Sequence, residues 1–103
     1  IRDEYDKETS LYRKIDDETF IVNAKMDIES LNELMNIRLP ESDEYETVGG
    51  YILEQTGSLP KEGEAIRFED YVLKMETVEK NRIVLVRISY EPLLRESQGI
   101  FEN

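Results

Sequence analysis

Two sets of acidic side chains have the chemistry to bind a hard divalent cation such as Mg²⁺, which prefers carboxylate oxygens. One set lies at the start of the chain and contains Asp3, Glu4, Asp6 and Glu8. The other lies within a predicted turn and contains Asp16, Asp17 and Glu18. Neither has the spacing of a calcium loop, and the first flanks no rigid element. We therefore interpret the first as a solvated linker and the second as an exposed hairpin turn, and we predict no metal site.

A pair of glycines, Gly49 and Gly50, follows Thr47 at a predicted helix start. Free backbone N–H groups at such a position, aided by the helix dipole, can bind phosphate. Thr47, Gly49 and Gly50 are therefore candidate residues for a nucleotide or FAD site. No Gly-x-Gly-x-x-Gly motif or Walker lysine accompanies them. Each glycine costs a helix on the order of 1 kcal/mol relative to alanine, so we favour the alternative that another backbone approaches the first turn closely.

Other side chains that attract attention have structural interpretations. Tyr51, Tyr71 and Tyr90 fall on apolar faces of predicted elements, which is more typical of core residues with a hydroxyl in water than of a stack around a ligand. Arg82 and Arg87 lie on a predicted strand, where ion pairs on the sheet are a better interpretation than anion binding. No catalytic residue is predicted.

The composition excludes several classes of function. The 103 residues include no histidine and no cysteine, which removes thiol nucleophiles, thiolate metal sites and every catalytic pairing that needs an imidazole. The net charge of -11 should repel nucleic acid. Paired carboxylates remain the one enzymatic alternative, but no two acids fall on a face that looks buried. No apolar run approaches the roughly 20 residues of a membrane helix, so we expect no membrane insertion by this chain.

Hydrophobic periodicity predicts seven elements in the order β-β-α-α-β-β-β. Two strands, 12–15 and 20–24, form a hairpin, Asp27 and Thr47 cap two helices, and strands follow at 65–68, 71–78 and 82–90. Gly57, Pro60 and Gly63 are predicted to shape the turn after the second helix. In the last strand, one face is predicted to carry Val84, Val86, Ile88 and Tyr90, and the other Ile83 and Leu85. This order predicts an α+β fold with a mainly antiparallel sheet and two helices packed on it.

The chain divides into three predicted parts. Residues 1–10 are charged and aperiodic, as in a linker from a preceding domain, and residues 11–90 form the folded domain. Residues 91–103 form a C-terminal tail with apolar side chains able to dock on a surface: Leu93, Leu94, Ile100 and Phe101. Because the sequence begins at Ile1 rather than methionine, we expect it to be part of a longer protein.

Several segments together resemble a known family. They are 27–33, the Leu39-Pro40 pair, the Thr-Val-Gly-Gly stretch within 45–53, the Gly-x-x-Pro-x-x-Gly turn of 57–64, and 81–83. Over residues 11–90 the chain is similar to the transporter-associated domain, the C-terminal domain of CorC/HlyC-type proteins. Residues 3–8 also resemble the segment that leaves the preceding CBS pair in such proteins. The chain departs from the family at Ala24, where glycine is usual before the first helix.

The resemblance implies a fold grouped with a subdomain of FAD-binding oxidoreductases. It also implies a cytoplasmic module of an inner or plasma-membrane protein, whose other parts are a transmembrane domain and a CBS pair that senses adenine nucleotides. The family is linked to magnesium and cobalt efflux and to hemolysins. We therefore expect a non-catalytic regulatory or interaction domain without a cofactor. Its expected partners are the CBS pair and transmembrane domain of the same chain, with a homodimer possible. The alternative is a module that binds FAD or an adenine nucleotide.

Overall fold

A computed structural model describes residues 11–92 of the chain, so the predicted linker and the tail beyond Pro92 lie outside the described residues. The elements are β1 (Tyr12–Asp16), β2 (Thr19–Asn23), α1 (Ile28–Met35), α2 (Val48–Thr56), β3 (Ala65–Phe68), β4 (Tyr71–Glu79) and β5 (Arg82–Tyr90). The strands form one sheet in the order β1-β2-β5-β4-β3, with every neighbouring pair antiparallel. The predicted α+β fold and element order are confirmed.

The core lies between one face of this sheet and the two helices. Strand β2 contributes Phe20 and Val22, which alternate toward the core as predicted, and Ala24 follows just beyond the strand. Leu31 of α1 and Ile52 of α2 are fully buried against them. Val48 at the start of α2 is fully buried in the same core, which places this helix start against the sheet.

Helix α1 begins after Asp27, as predicted, but the Asp27 side chain forms no capping hydrogen bond. The prediction that this carboxylate caps the helix is therefore wrong. The first N–H, that of Ile28, donates instead to the carbonyl oxygen of Glu46 at 2.9 Å, and the Asp27 backbone bridges Thr47. The helix ends at Asn36, which adopts a left-handed conformation with φ 56°.

The segment between the helices is held by the Asn32 side chain, which forms the same pair of hydrogen bonds with a backbone that a neighbouring β-strand would form. The Asn32 amide donates to the carbonyl oxygen of Leu39 at 3.0 Å and accepts from its N–H at 2.9 Å. This pairing holds Ile37 and Leu39 in the core, where each is almost completely buried. The same loop then returns to the start of α2.

Strands β4 and β5 contain irregular pairing that changes which face some side chains occupy. The register shifts between Met75 and Thr77 and again between Thr77 and Val78. As a result Ile83 and Val86, three positions apart, both enter the core, whereas Val84 does not join it. The prediction that Val84 shares the core face and Ile83 the opposite one is wrong, because a bulge inserts one residue and inverts the alternation.

Candidate functional site

The start of helix α2 contains the predicted phosphate-binding residues, and its backbone donors already have partners. The N–H of Val48 donates to the carbonyl oxygen of Met26 at 2.9 Å, and the N–H of Gly49 donates to that of Ala24 at 2.9 Å. The N–H of Gly50 donates to the Thr47 side-chain oxygen at 3.1 Å. These three donors are therefore committed within the protein, and a phosphate would have to displace them.

The two glycines permit a close approach of chain segments. A Cβ atom placed on Gly49 would lie 3.0 Å from the Ala24 Cβ and 3.3 Å from the Ala24 oxygen. On Gly50 it would lie 2.9 Å from the Tyr45 Cβ. The favoured prediction, that another backbone packs against the first turn of this helix, is confirmed. At Ala24 the methyl group is itself part of this tight contact.

A depression of about 290 Å³ beside these glycines includes two cations, Lys25 and Arg82. Arg82 forms a salt bridge with Glu79 at 3.3 Å, so its positive charge already has an acidic partner. Arg87 likewise pairs with Glu76 at 3.1 Å across the sheet. The prediction that both arginines form ion pairs on the sheet is confirmed.

The acidic turn between β1 and β2 uses its own side chains to shape the hairpin. The Asp16 carboxylate accepts from the N–H of Glu18 at 2.9 Å, and Lys14 lies 3.5 Å from a carboxylate oxygen of Asp17. Within residues 11–92 no three acidic side chains are grouped so that they could hold a metal ion. The first acidic set, Asp3 to Glu8, lies outside the described residues.

An open groove of about 380 Å³ lies where the hairpin tip, the end of α1 and the ends of β4 and β5 meet. Its floor combines buried Phe20 with partly buried Leu34 and Met35. One wall is the ring pair of Tyr71 and Tyr90, whose centroids are 5.4 Å apart in an edge-to-face arrangement. The rim is charged, and its residues are Lys14, Asp17 and Glu18. An apolar floor with a polar rim is typical of a contact surface.

The predicted core tyrosines differ in their surroundings. Tyr51 is 4% exposed, which confirms its core placement, and burial followed by the neighbouring Tyr45 raises its pKa. Tyr71 is partly buried, and its pKa is raised first by burial and then by Tyr90, Asp70 and Glu69. Tyr90 is 39% exposed. The core prediction is therefore wrong for Tyr90, because this ring is at the end of β5 and lines the wall of the open groove.

Within residues 11–92, strand β1 is an edge strand of the sheet with no partner on its outer side, and all five of its residues are exposed. Leu11, Tyr12 and Ile15 lie on or beside it, and they are three of the five large apolar side chains exposed within residues 11–92. Arg13 and Lys14 place positive charge on the same edge of this otherwise acidic chain. An exposed strand edge with apolar side chains is able to pair with another chain segment.

Comparison with known proteins decides the family. Residues 13–92 match the family model of CorC_HlyC, the transporter associated domain. The chain belongs to the CorC/HlyC transporter-associated domain family. It is 32% identical over 90 residues to the magnesium and cobalt efflux protein CorC of Buchnera aphidicola, a match that covers 86% of this chain and 31% of the relative. It is 33% identical over 97 residues to Hemolysin C of Brachyspira hyodysenteriae, covering 94% of this chain and 35% of the relative.

Solved structures agree with the CorC/HlyC assignment. A hemolysin domain from Enterococcus faecalis V583 superposes with a TM-score of 0.71 at 29% identity, over 79% of this chain and 98% of that one. The chain spans only about a third of the length of the curated relatives it matches. Within residues 11–92 no helix has the length and apolar character needed to cross a membrane.

Two features of this CorC/HlyC domain were missed by sequence reasoning. The groove was not predicted because its residues come from five elements and a turn that only the folded chain brings together, although Leu34 and Met35 at the end of an amphipathic helix were a partial signal. The hydrogen bonds between Asn32 and Leu39 were not predicted, because a single asparagine seven residues from its partner leaves no periodic pattern in the sequence.

Proposed function

We propose that this CorC/HlyC domain is a non-catalytic interaction domain, which modulates magnesium and cobalt transport by a longer membrane protein. In this proposal the parent also contains a CBS pair and a transmembrane domain, and this domain lies on the cytoplasmic side. Two relatives of about three times the aligned length support it, since one is named for magnesium and cobalt efflux and the other is Hemolysin C.

The observation that carries the proposal is the exposed β1 edge. It is the first element of the described residues, so a domain that precedes it in the parent would be tethered next to it. Backbone pairing along a strand edge supplies affinity, and apolar side chains such as Leu11 and Ile15 supply specificity. The positive charges of Arg13 and Lys14 disfavour pairing of this edge with unrelated strands, and they favour a partner with acidic side chains.

The site geometry also supports a role without chemistry. No charged side chain is buried within residues 11–92, and the buried phenol of Tyr51 belongs to the core cluster, so this part of the domain offers no buried carboxylate or amine to a substrate. The donors at the start of α2 are committed to Met26, Ala24 and Thr47. We therefore propose that the domain works without a bound flavin or adenine nucleotide.

The function is tested in cells that depend on the parent protein for resistance to Mg²⁺ and Co²⁺. Deletion of residues 11–92 is expected to change resistance and ion efflux. The double substitution Leu11→Ser and Ile15→Ser should reproduce much of that change. Leu53→Ser is the matched control, because it removes a similarly exposed apolar side chain from α2, away from the edge. Unchanged transport after the deletion would show that the domain does not modulate the ion flux.

The partner and the cofactor need separate measurements. Sedimentation of the 103-residue chain distinguishes a second copy from a neighbouring domain as the occupant of β1, since self-association that Ile15→Ser abolishes would favour the copy. Thermal shift with FAD, AMP and ATP tests the cofactor. A ligand at a hundredfold its dissociation constant stabilises a fold by about 2.7 kcal/mol, and we expect no shift with any of the three.

A further inference from the structure

We propose that the C-terminal segment 93–103 of the same chain occupies the groove formed by Phe20, Leu34, Met35, Tyr71 and Tyr90, with Leu93 and Leu94 against the tyrosine pair. This goes beyond the proposed function, because it assigns the groove to the chain's own tail and leaves the β1 edge to the partner.

The place where the chain leaves the sheet is the first argument. The N–H of Glu91 donates to the carbonyl oxygen of Asp70 at 2.7 Å, and the Arg67 guanidinium donates to the carbonyl oxygen of Glu91 at 2.7 Å. Glu91 is thus fixed beside Tyr71, one residue after groove-lining Tyr90. The tail therefore starts at the groove wall rather than at a distant point of the surface.

Chain length is the second argument. An extended chain advances at most about 3.3–3.6 Å per residue, so the Cα of Leu94 lies within roughly 14 Å of the Cα of Tyr90. Both leucines are then confined to the neighbourhood of the groove whatever path the chain takes. A segment tethered this closely competes for a site at an effective concentration on the order of millimolar, which favours it over a separate molecule.

Chemical complementarity is the third argument. The tail places two adjacent leucines first and the single base Arg95 immediately after them. The groove offers an apolar floor and the 39% exposed residue Tyr90, and its rim carries two acids, Asp17 and Glu18, and one base, Lys14. Leucine side chains on this floor would remove apolar surface from water, and Arg95 would approach the acidic rim.

The test uses the complete 103-residue chain and a spin label. Since the sequence contains no cysteine, Ser97→Cys supplies a single attachment point for a nitroxide without replacing an apolar tail residue. In the ¹⁵N-labelled protein, we expect loss of amide signal intensity at Leu34, Met35 and Tyr71, and full intensity at Glu46 and Gly57. Adding Leu93→Ser and Leu94→Ser should restore the lost signals.

The control removes an equal number of apolar side chains from the far end of the tail. Ile100→Ser with Phe101→Ser should leave the intensity loss at Leu34 and Met35 in place. A pattern that the leucine substitutions do not change would overturn the proposal. So would an equal intensity loss in ¹⁵N-labelled molecules without a spin label when they are mixed with spin-labelled molecules at natural isotope abundance, since a second copy would then supply the tail.

Discussion

Ala24 and Gly49 form one contact, and each limits what the other can be. The Gly49 N–H donates to the Ala24 carbonyl oxygen at 2.9 Å, which draws the chain segment after β2 against the first turn of α2. The two segments are so close that there is room for a side-chain methyl group at Ala24 or at Gly49, but not at both. The glycine that weakens the helix is therefore required by the alanine it faces.

Gly49→Ala tests this contact in two backgrounds. Overpacking costs about 1–3 kcal/mol, and the gain in helix propensity returns about 1 kcal/mol, so we expect a net loss of about 1 kcal/mol in the unfolding free energy. In the Ala24→Gly background the same substitution should be close to neutral, because the Cβ at 3.0 Å is gone and only the backbone oxygen of residue 24, at 3.3 Å, still opposes the gain in helix propensity. Urea denaturation of the four proteins measures the coupling. Equal losses in both backgrounds would contradict the paired role.

Tyr51 is expected to contribute to a loss of stability at alkaline pH. Its pKa is raised in the folded protein above the ordinary value of a tyrosine, first by burial and then by Tyr45. The folded state therefore holds the phenolic proton more tightly than the unfolded state does. This stabilisation is fully present below pH 10 and is lost as the pH rises through the folded pKa. Tyr51→Phe should flatten the alkaline decline measured by thermal unfolding, relative to the unsubstituted protein.

The same variant at neutral pH provides the reference. Tyr51→Phe keeps the ring that packs edge-to-face on Tyr45 and Phe68, with centroids 5.6 and 6.5 Å away. Its stability at pH 7 should therefore stay close to that of the parent chain. An identical alkaline decline in both proteins would show that Tyr51 does not titrate with unfolding.

At the scale of the elements, the sequence predicted the fold well because local signals agreed with the packing. Helix α2 begins after Thr47 and ends at Gly57, as predicted. A threonine cap and a glycine in the left-handed conformation (φ 81°) follow from the residue type at that position, without help from distant contacts. Gly63 likewise adopts a positive φ, of 91°, in the turn after α2, as its residue type allows. The failures share one cause. Ile83 is placed by a bulge between β4 and β5, and Tyr90 by the groove it lines, and both features are set by contacts remote in sequence.

The turn between β3 and β4 contains a residue whose backbone conformation is unfavourable for its type. Glu69 has φ 53°, whereas Asp70 beside it does not have a positive φ. The left-handed conformation costs a non-glycine residue about 1–2 kcal/mol, and a glycine at this position would remove that cost. The greater conformational entropy of glycine in the unfolded chain would offset about 0.5–1 kcal/mol of this stabilisation. We expect Glu69→Gly to raise the unfolding free energy by about 0.5 kcal/mol in a urea titration.

Asp70→Gly is the matched control in this turn. It adds the same entropy to the unfolded chain without relieving a left-handed backbone, so it should lower stability by about 0.5–1 kcal/mol. Two glycine substitutions one residue apart are thus expected to act in opposite directions. Destabilisation by both would indicate that the positive φ of Glu69 carries no cost.

At the scale of the whole molecule, the net charge of -11 on 103 residues sets the response to ions. Self-repulsion destabilises a compact acidic chain, and salt weakens it because the Debye length falls to about 10 Å at 0.1 M. This response needs no metal site. It is also the background against which any Mg²⁺ effect on a domain related to magnesium efflux proteins has to be measured.

We therefore predict that NaCl and MgCl₂ at equal ionic strength raise the melting temperature by similar amounts. An ordered site would add stabilisation that grows with the logarithm of Mg²⁺ concentration above its dissociation constant. Asp16→Asn with Asp17→Asn tests the hairpin turn, and Asp43→Asn with Glu44→Gln is the matched control, since it removes two exposed acids from the loop between the helices. If Mg²⁺ gave an excess that only the turn variant abolished, the turn would hold the ion and our interpretation of it as a solvated hairpin tip would be wrong.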